Sequence, residues 1–142
     1  MTLEEKQQEI IDEFTIFDDW MDKYNYLIEL SRDLPDMNPK NKTEDNLIEG
    51  CQSKVWLNAE MDGQNLVFEA DSDAIITKGI IALLIRVLSG RSPEEIKNAD
   101  LHFIDDIGLK ENLSPTRSNG LLAMVNKIKA YAMAYDLKQK QG

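Results

Sequence analysis

The stretch from Ile75 to Leu88, IITKGIIALLIRVL, is apolar almost throughout, interrupted by Thr77, Lys78 and Arg86. A bilayer demands about 20 consecutive apolar residues, so this run is too short to cross one. Its near-continuous hydrophobicity instead predicts a helix buried on most of its sides. The rest of the chain must therefore wrap it. A domain of 142 residues buries roughly two-thirds of the surface that its unfolded chain exposes, which is enough for a core around such a helix. With no internal repeat and no change of composition along the chain, the expectation is a single domain over residues 1–142.

The wrapping elements announce themselves by their caps and periods. Thr2 followed by Glu5 fits a capping box and predicts a helix from residue 3 to about 16. Trp20, Tyr24, Leu27 and Leu30 recur at helical spacing and Pro35 ends the pattern, so a second helix is expected from Asp19 to Asp33. The segment Asp36 to Glu49, DMNPKNKTEDNLIE, reads as an irregular surface loop. Val55, Leu57 and Ala59 then alternate with their neighbours, Met61-Asp62-Gly63 supplies a turn, and Leu66, Phe68 and Ala70 alternate again. That pattern is a β-hairpin. Two strands alone are marginally stable, so helices must cover one face. Asp71-Ser72-Asp73 offers oxygen acceptors to the first amides of the apolar helix, and Gly90 closes it. Ser92-Pro93 and Ser114-Pro115 open two more helices. The last carries Leu121, Met124, Val125, Ile128, Ala132 and Tyr135 on one face and ends in Lys138 and Lys140, cations suited to a helix C-terminus. The fold class is α+β, a small antiparallel sheet with helices packed on one side.

Charge and composition exclude several functions. With 26 acidic and 16 basic residues the net charge is −10, which repels phosphate backbones and anionic lipid surfaces, so neither nucleic acid nor a membrane is an expected partner. Phosphate-cradling glycine loops are missing. One cysteine, Cys51, and one histidine, His102, are too few for a zinc site of the usual kinds. His102 beside Phe103 reads as structural, and paired acids such as Asp105-Asp106 read as caps or solvated faces. A lone cysteine forms no internal disulfide, and the acidic first twenty residues lack the apolar core of a signal peptide. Both point to the reducing cytoplasm.

Cys51 itself admits two readings. Free cysteine is among the most buried residue types and packs as a small hydrophobe. Yet Cys51 follows Gly50 and precedes Gln52-Ser53, where a loop hands over to a strand, rather than sitting in an apolar run. Glycine tolerates backbone angles closed to other residues, so this segment can present or withdraw the sulfur. A thiol near its reference pKa is only a few per cent thiolate at neutral pH, and Glu49 beside it is expected to push the pKa higher. At rest it is a sluggish nucleophile. Arg117, near the start of the last helix, is a candidate local cation, its alternative being ordinary surface solvation.

Four blocks of the chain resemble the SufE family in the family's order. GCQSKVWL (50 to 57) resembles its GCQS-x-VW signature, and YNYLIELSRDLP (24 to 35) its RY-x-x-LIELG-x-x-LP segment. EADSDAIITKGIIALLI (69 to 85) resembles its DSDA-x-IV-x-GL-x-A-x-L stretch, and LSPTRSNGLLAMVNKIKA (113 to 130) its LSP-x-R-x-x-GL-x-AM-x-x-x-I helix. Ser31 stands where the family often has glycine, and residues 91 to 112, His102 among them, match loosely and inherit no role.

The resemblance implies a sulfur acceptor that activates a SufS-like cysteine desulfurase in iron-sulfur cluster assembly and passes the sulfur to a SufBCD-like scaffold complex. Cys51 would take the sulfur as a persulfide, with Gly50 and Gln52 shaping its loop, while Arg117 and Asp73 tune or cover it, Asp73 being alternatively only a helix cap. No cofactor is expected in this chain, since pyridoxal phosphate belongs to the partner desulfurase. The fold implied is shared with scaffold proteins of the IscU type, and the expected state is a monomer or weak homodimer. Two rivals remain: an adaptor that docks the desulfurase without carrying sulfur, and an IscU-like cluster scaffold.

Overall fold

A computed structural model of the chain describes residues 1–141. In chain order the elements are α1 (Leu3–Thr15), α2 (Trp20–Asp33), β1 (Val55–Asp62), β2 (Asn65–Ser72), α3 (Ile75–Leu88), α4 (Pro93–Lys97), α5 (Phe103–Asp106), α6 (Leu109–Asn112) and α7 (Pro115–Gln141). The fold is α+β, a two-stranded antiparallel sheet whose inner face is covered by helices.

The apolar helix lies at the centre, as its composition demands. Ile80, Ile81, Leu83, Leu84, Val87 and Leu88 of α3 are each at most 1% exposed, and burying such a side chain is worth about 2 kcal/mol. Against it pack Ile10 and Phe14 of α1, Leu27 and Leu30 of α2, and Leu121, Met124 and Ile128 of α7. Gly79 lets α2 cross closely, because a side chain there would run into the backbone carbonyl of Leu27. Arg86, the cation that interrupts the apolar run, reaches out of the core to Glu9 and Glu13 of α1. It holds the Glu13 carboxyl below the ordinary carboxylate range.

The caps read from the chain form as expected at three helices. Thr2 and Glu5 exchange side-chain to backbone hydrogen bonds at 3.0 and 3.1 Å. Ser92 accepts from the amide of Glu95 at α4 and Ser114 from that of Arg117 at α7, while Asp19, expected as the first residue of the second helix, instead caps α2 by accepting from the Asp22 amide. The segment between α2 and β1 is less irregular than expected, with short 3-10 turns at Pro39–Asn41 and Glu44–Asn46. It crosses the outer face of the hairpin, where Asn41 donates to Glu69 and Lys42 pairs with Asp71.

In the hairpin, Val55, Leu57 and Ala59 face the core with Leu66, Phe68 and Ala70. Asp62 pairs with Asn65, so the turn residues are Gly63 and Gln64, one step later than the sequence pattern suggests. Gly63 has φ of 64° and no non-glycine residue has positive φ among the described residues, the combination that a II′ hairpin turn uses.

The outer edge of β1 is closed by an unusual division of labour. Its outward carbonyls at Val55, Leu57 and Ala59 meet the Ile48 amide at 2.8 Å, the Tyr131 hydroxyl at 3.0 Å and the Tyr135 hydroxyl at 3.1 Å. Four residues of helix rise about 6 Å and two residues of strand about 6.8 Å, so tyrosines four apart on α7 match carbonyls two apart on β1. The edge of β2 is closed by Arg91, whose carbonyl accepts from Leu66 at 2.8 Å.

Candidate functional site

The segment 49–53 is a loop pinned firmly at its roots and lightly at its tip. Before it, the Ile48 amide donates to the Val55 carbonyl at 2.8 Å and Leu47 bridges to Trp56. After it, the Lys54 amide donates to Asp73 Oδ1 at 3.0 Å. The Lys54 carbonyl in turn accepts from the Asp73 amide at 3.2 Å and from Ser72 Oγ at 2.9 Å. Between these roots, Gly50 adopts φ of 92°, and a Cβ there would stand 3.4 Å from Ala123 of α7. The backbone angle calls for glycine.

Cys51 is half-buried at the tip. Its Sγ donates to the carbonyl of Gly120 in α7 at 3.5 Å, and since a thiol is a weak donor the bond is a light tether. Below the loop lies a cavity of about 110 Å³, lined among others by Cys51, Thr77, Ile80, Arg117, Gly120 and Met124. Burial there pushes the Cys51 thiol up. The direction is the one expected from the sequence, but the cause is loss of solvent rather than the charge of Glu49, because desolvation disfavours the thiolate.

The other residues singled out in the sequence fall around this loop in different ways. Gln52 is exposed and lines the same cavity. The Arg117 guanidinium donates to the Tyr24 hydroxyl and lies 5.5 Å from that ring's centre, so a tyrosine of α2 holds it at the cavity wall. Asp73 does not line the cavity and acts on the loop through the Lys54 amide. This corrects the expectation that Asp71-Ser72-Asp73 caps the apolar helix. Asp73 turns its carboxylate back to the loop, and the cap position falls to Ala74, which has no side-chain acceptor. Only Ser72 Oγ serves that end, accepting from the Ala74 amide at 3.2 Å.

Two lining residues went unmarked in the sequence. Gly120 provides the carbonyl and the space: a Cβ on it would stand 3.5 Å from Cys51 Sγ. Its signal was a glycine inside a helical pattern, which costs about 1 kcal/mol relative to alanine and so implies a close approach. Thr77 was visible only as a polar interruption of an apolar run. His102 lies elsewhere, its ring nitrogens 2.6 Å from Asp106 and 2.8 Å from Glu4. Those carboxylates raise its pKa and the contact ties α1 to α5.

Among the described residues no group of three or more His, Cys, Asp and Glu side chains could hold a metal ion. No helix there is long and apolar enough to cross a membrane.

The model of the SufE family, described as an Fe-S metabolism associated domain, matches residues 8–132. An uncharacterized SufE-like protein of Rhizobium meliloti is 42% identical over 129 residues, which cover 87% of this chain and 92% of the relative. The SufE-like protein 1, chloroplastic/mitochondrial, of Arabidopsis thaliana is 39% identical over 137 residues, covering 96% of this chain and 37% of that longer protein. The solution structure of a hypothetical protein from Thermus thermophilus superposes with a TM-score of 0.75 at 23% identity, covering 91% of this chain and 94% of that one, a likeness of fold. The matched span takes in the Cys51 loop, the hairpin, α3 and most of α7, so the chain belongs to the SufE family, the Fe-S metabolism associated domain.

Proposed function

We propose that Cys51 accepts sulfur from a cysteine desulfurase and hands it on toward iron-sulfur cluster assembly. The observation that carries this reading is a thiol tethered by one weak bond over a cavity, on a loop whose two ends are fixed by backbone hydrogen bonds. Breaking the tether to Gly120 releases the tip without disturbing β1 or α3.

Release also changes the chemistry. Inside the cavity burial keeps the thiol protonated. Swung out toward a donor it regains solvent, loses that penalty and ionises more readily. The thiolate attacks the outer sulfur of a persulfide on the donor's own cysteine. A new S–S bond forms at Cys51 and the donor's S–S bond breaks, so that Cys51-S⁻ and donor-S-SH become Cys51-S-SH and donor-S⁻. Electrons balance without an added oxidant, as in thiol–disulfide exchange. The pyridoxal phosphate that frees sulfur from cysteine belongs to the desulfurase, and this chain supplies the thiol. A scaffold complex is the recipient.

Incubation with a desulfurase and free cysteine, followed by intact mass measurement with and without reductant, tests the reading. One extra sulfur atom, removed by reductant and missing in Cys51→Ser, is expected. Faster desulfurase turnover with no added mass would make the protein a docking adaptor instead.

A further inference from the structure

The first turn of α3 forms one wall of the cavity beneath Cys51, through Ala74, Thr77 and Ile80. This helix starts without a side-chain cap. Its first intrahelical bond runs from the Lys78 amide to the Ala74 carbonyl at 2.9 Å, and the amides of Ile75, Ile76 and Thr77 have no partner among the described residues. Such free amides, with the aligned dipoles behind them, amount to roughly half a positive charge at a helix N-terminus. The chain elsewhere spends acids on such ends, at Glu5, Asp19 and Glu95 among others. Here Asp73 is turned away to Lys54.

Thr77 adds an independent sign. It is only 9% exposed, it lines the cavity, and its hydroxyl makes no hydrogen bond among the described residues. A threonine inside a helix ordinarily returns its hydroxyl to a carbonyl three or four residues back. On a residue nine-tenths buried and lining the cavity, a hydroxyl with no protein partner is left free to donate to a ligand atom there. Arg117, on the same cavity wall, has a tyrosine rather than a carboxylate as its partner and keeps its charge uncancelled.

We infer that the uncapped first turn of α3, together with the Thr77 hydroxyl and the Arg117 guanidinium, is the binding site for the terminal sulfur of a Cys51 persulfide in its anionic form. This rests on the sulfur-acceptor reading above and deepens it. A persulfide places its outer sulfur about 2 Å beyond Sγ, and one such atom needs little more room than a water, whose share of liquid volume is about 30 Å³. The cavity of about 110 Å³ has that room. The unloaded thiol stays neutral, donating to Gly120. The loaded group, one atom longer and a stronger acid than a thiol, reaches the amides, the hydroxyl and the guanidinium and loses its proton there. The loaded loop is thereby held shut against stray thiols until a recipient draws it out.

Loading with inorganic polysulfide bypasses any desulfurase and isolates the cavity. Wild type, Thr77→Val, Thr77→Ser and Ala74→Asp are compared by the pH titration of the near-ultraviolet perthiolate absorption and by persulfide decay on adding a small thiol. In Thr77→Val the titration midpoint should rise by about one pH unit, decay should quicken several-fold, and Thr77→Ser should restore both. Ala74→Asp supplies the missing cap, so it should raise the thermal midpoint while its carboxylate displaces the sulfur, raising the perthiolate midpoint and speeding decay. A merely structural role for this turn predicts greater stability with no change in the persulfide. Identical titrations and decay rates in wild type, Thr77→Val and Ala74→Asp overturn the site. Should Thr77→Val fail to fold, Ala74→Asp decides alone. If the polysulfide results come out as expected while desulfurase and cysteine load nothing, the site stands and the acceptor reading falls. Loading by desulfurase with equal persulfide lifetimes in all variants leaves the acceptor reading standing and removes the site.

Discussion

Cys51 Sγ and the carbonyl oxygen of Gly120 stand 3.5 Å apart, joining the tip of a loop to the second turn of the longest helix by one weak hydrogen bond. The two ends meet through the backbone: Gly50 turns the loop onto α7 with φ of 92°, and Gly120 offers its carbonyl where a single added methyl would still be in ordinary contact with the sulfur. The loop therefore has a closed position in which one weak hydrogen bond ties its tip to α7.

Gly120 should separate stability from thiol access. A Cβ there would lie 3.5 Å from Sγ and 4.0 Å from the Cys51 Cα, which is ordinary contact, and mid-helix glycine to alanine gains up to about 1 kcal/mol. Gly120→Ala should raise the thermal midpoint and leave the rate of Cys51 alkylation unchanged. Gly120→Leu overfills the space and should expel the loop, raising the alkylation rate several-fold. A Leu variant alkylated no faster than wild type would mean that the loop is not held by this contact.

The thiol predicts a pH dependence of stability. Because burial raises its pKa in the folded chain, the unfolded chain releases its proton first as pH rises. The folded state then binds more protons than the unfolded one, and stability falls as pH climbs from the ordinary thiol value of about 8.5 toward the higher folded value. Urea titrations between neutral and alkaline pH should show this slope in wild type and a shallower one in Cys51→Ala. Equal slopes would place the sulfur in solvent.

Which parts of this arrangement were legible follows from the range of the forces involved. The hairpin and α3 are written in local periodicity, because the alternation at Val55, Leu57 and Ala59 and the run from Ile75 to Leu88 each decide burial residue by residue. The caps at Thr2, Ser92 and Ser114 were legible because acceptor and amide lie three residues apart. Asp73 was misread for the complementary reason. It has local amides to serve and a distant one at Lys54, and only the folded loop decides between them. The short helices α5 and α6, of four residues each, are shorter than any period that could reveal them. Gly120 and Thr77 mattered for a cavity built from β1's approach loop, α3 and α7 together, which no single window of sequence contains.

Of the two tyrosines along β1, Tyr135 was legible only as a helix face residue and Tyr131 not at all, and their hydroxyls predict a measurable edge effect. Tyr135 donates to the Ala59 carbonyl, and Tyr131 stands between the Leu57 carbonyl and the Asn46 amide oxygen at 2.8 Å, serving one at a time. Tyr135→Phe should cost about 1 kcal/mol, the worth of a neutral hydrogen bond to a carbonyl that is otherwise left short of partners. Tyr131→Phe should cost less, since its single proton is divided between two acceptors and each already spends part of its time without it. The double variant should also aggregate sooner on heating, because bared strand edges recruit other strands. Urea midpoints and light scattering check both, and a double variant as stable as wild type would show that water satisfies the edge equally well.

Asp73 sets the stiffness of the loop from its root. Its carboxylate accepts from the Lys54 amide at 3.0 Å while its own amide donates to the Lys54 carbonyl at 3.2 Å, a reciprocal clamp that also includes Ser72 Oγ. Asp73→Ala removes the side-chain half and leaves the backbone half, so the strands should stay paired and the loss should be about 1 kcal/mol, below the usual range for a hydrogen bond to a charged group because the site is exposed. The effect should be local: hydrogen exchange should quicken across residues 49–54 and stay unchanged in α3 and α7, and Cys51 alkylation should speed up. Asp73→Asn, which keeps an oxygen acceptor without the charge, should fall between the two. If Asp73→Ala instead accelerates exchange at the start of α3 and leaves the loop unchanged, the carboxylate works as a helix cap and the clamp on Lys54 has no mechanical role.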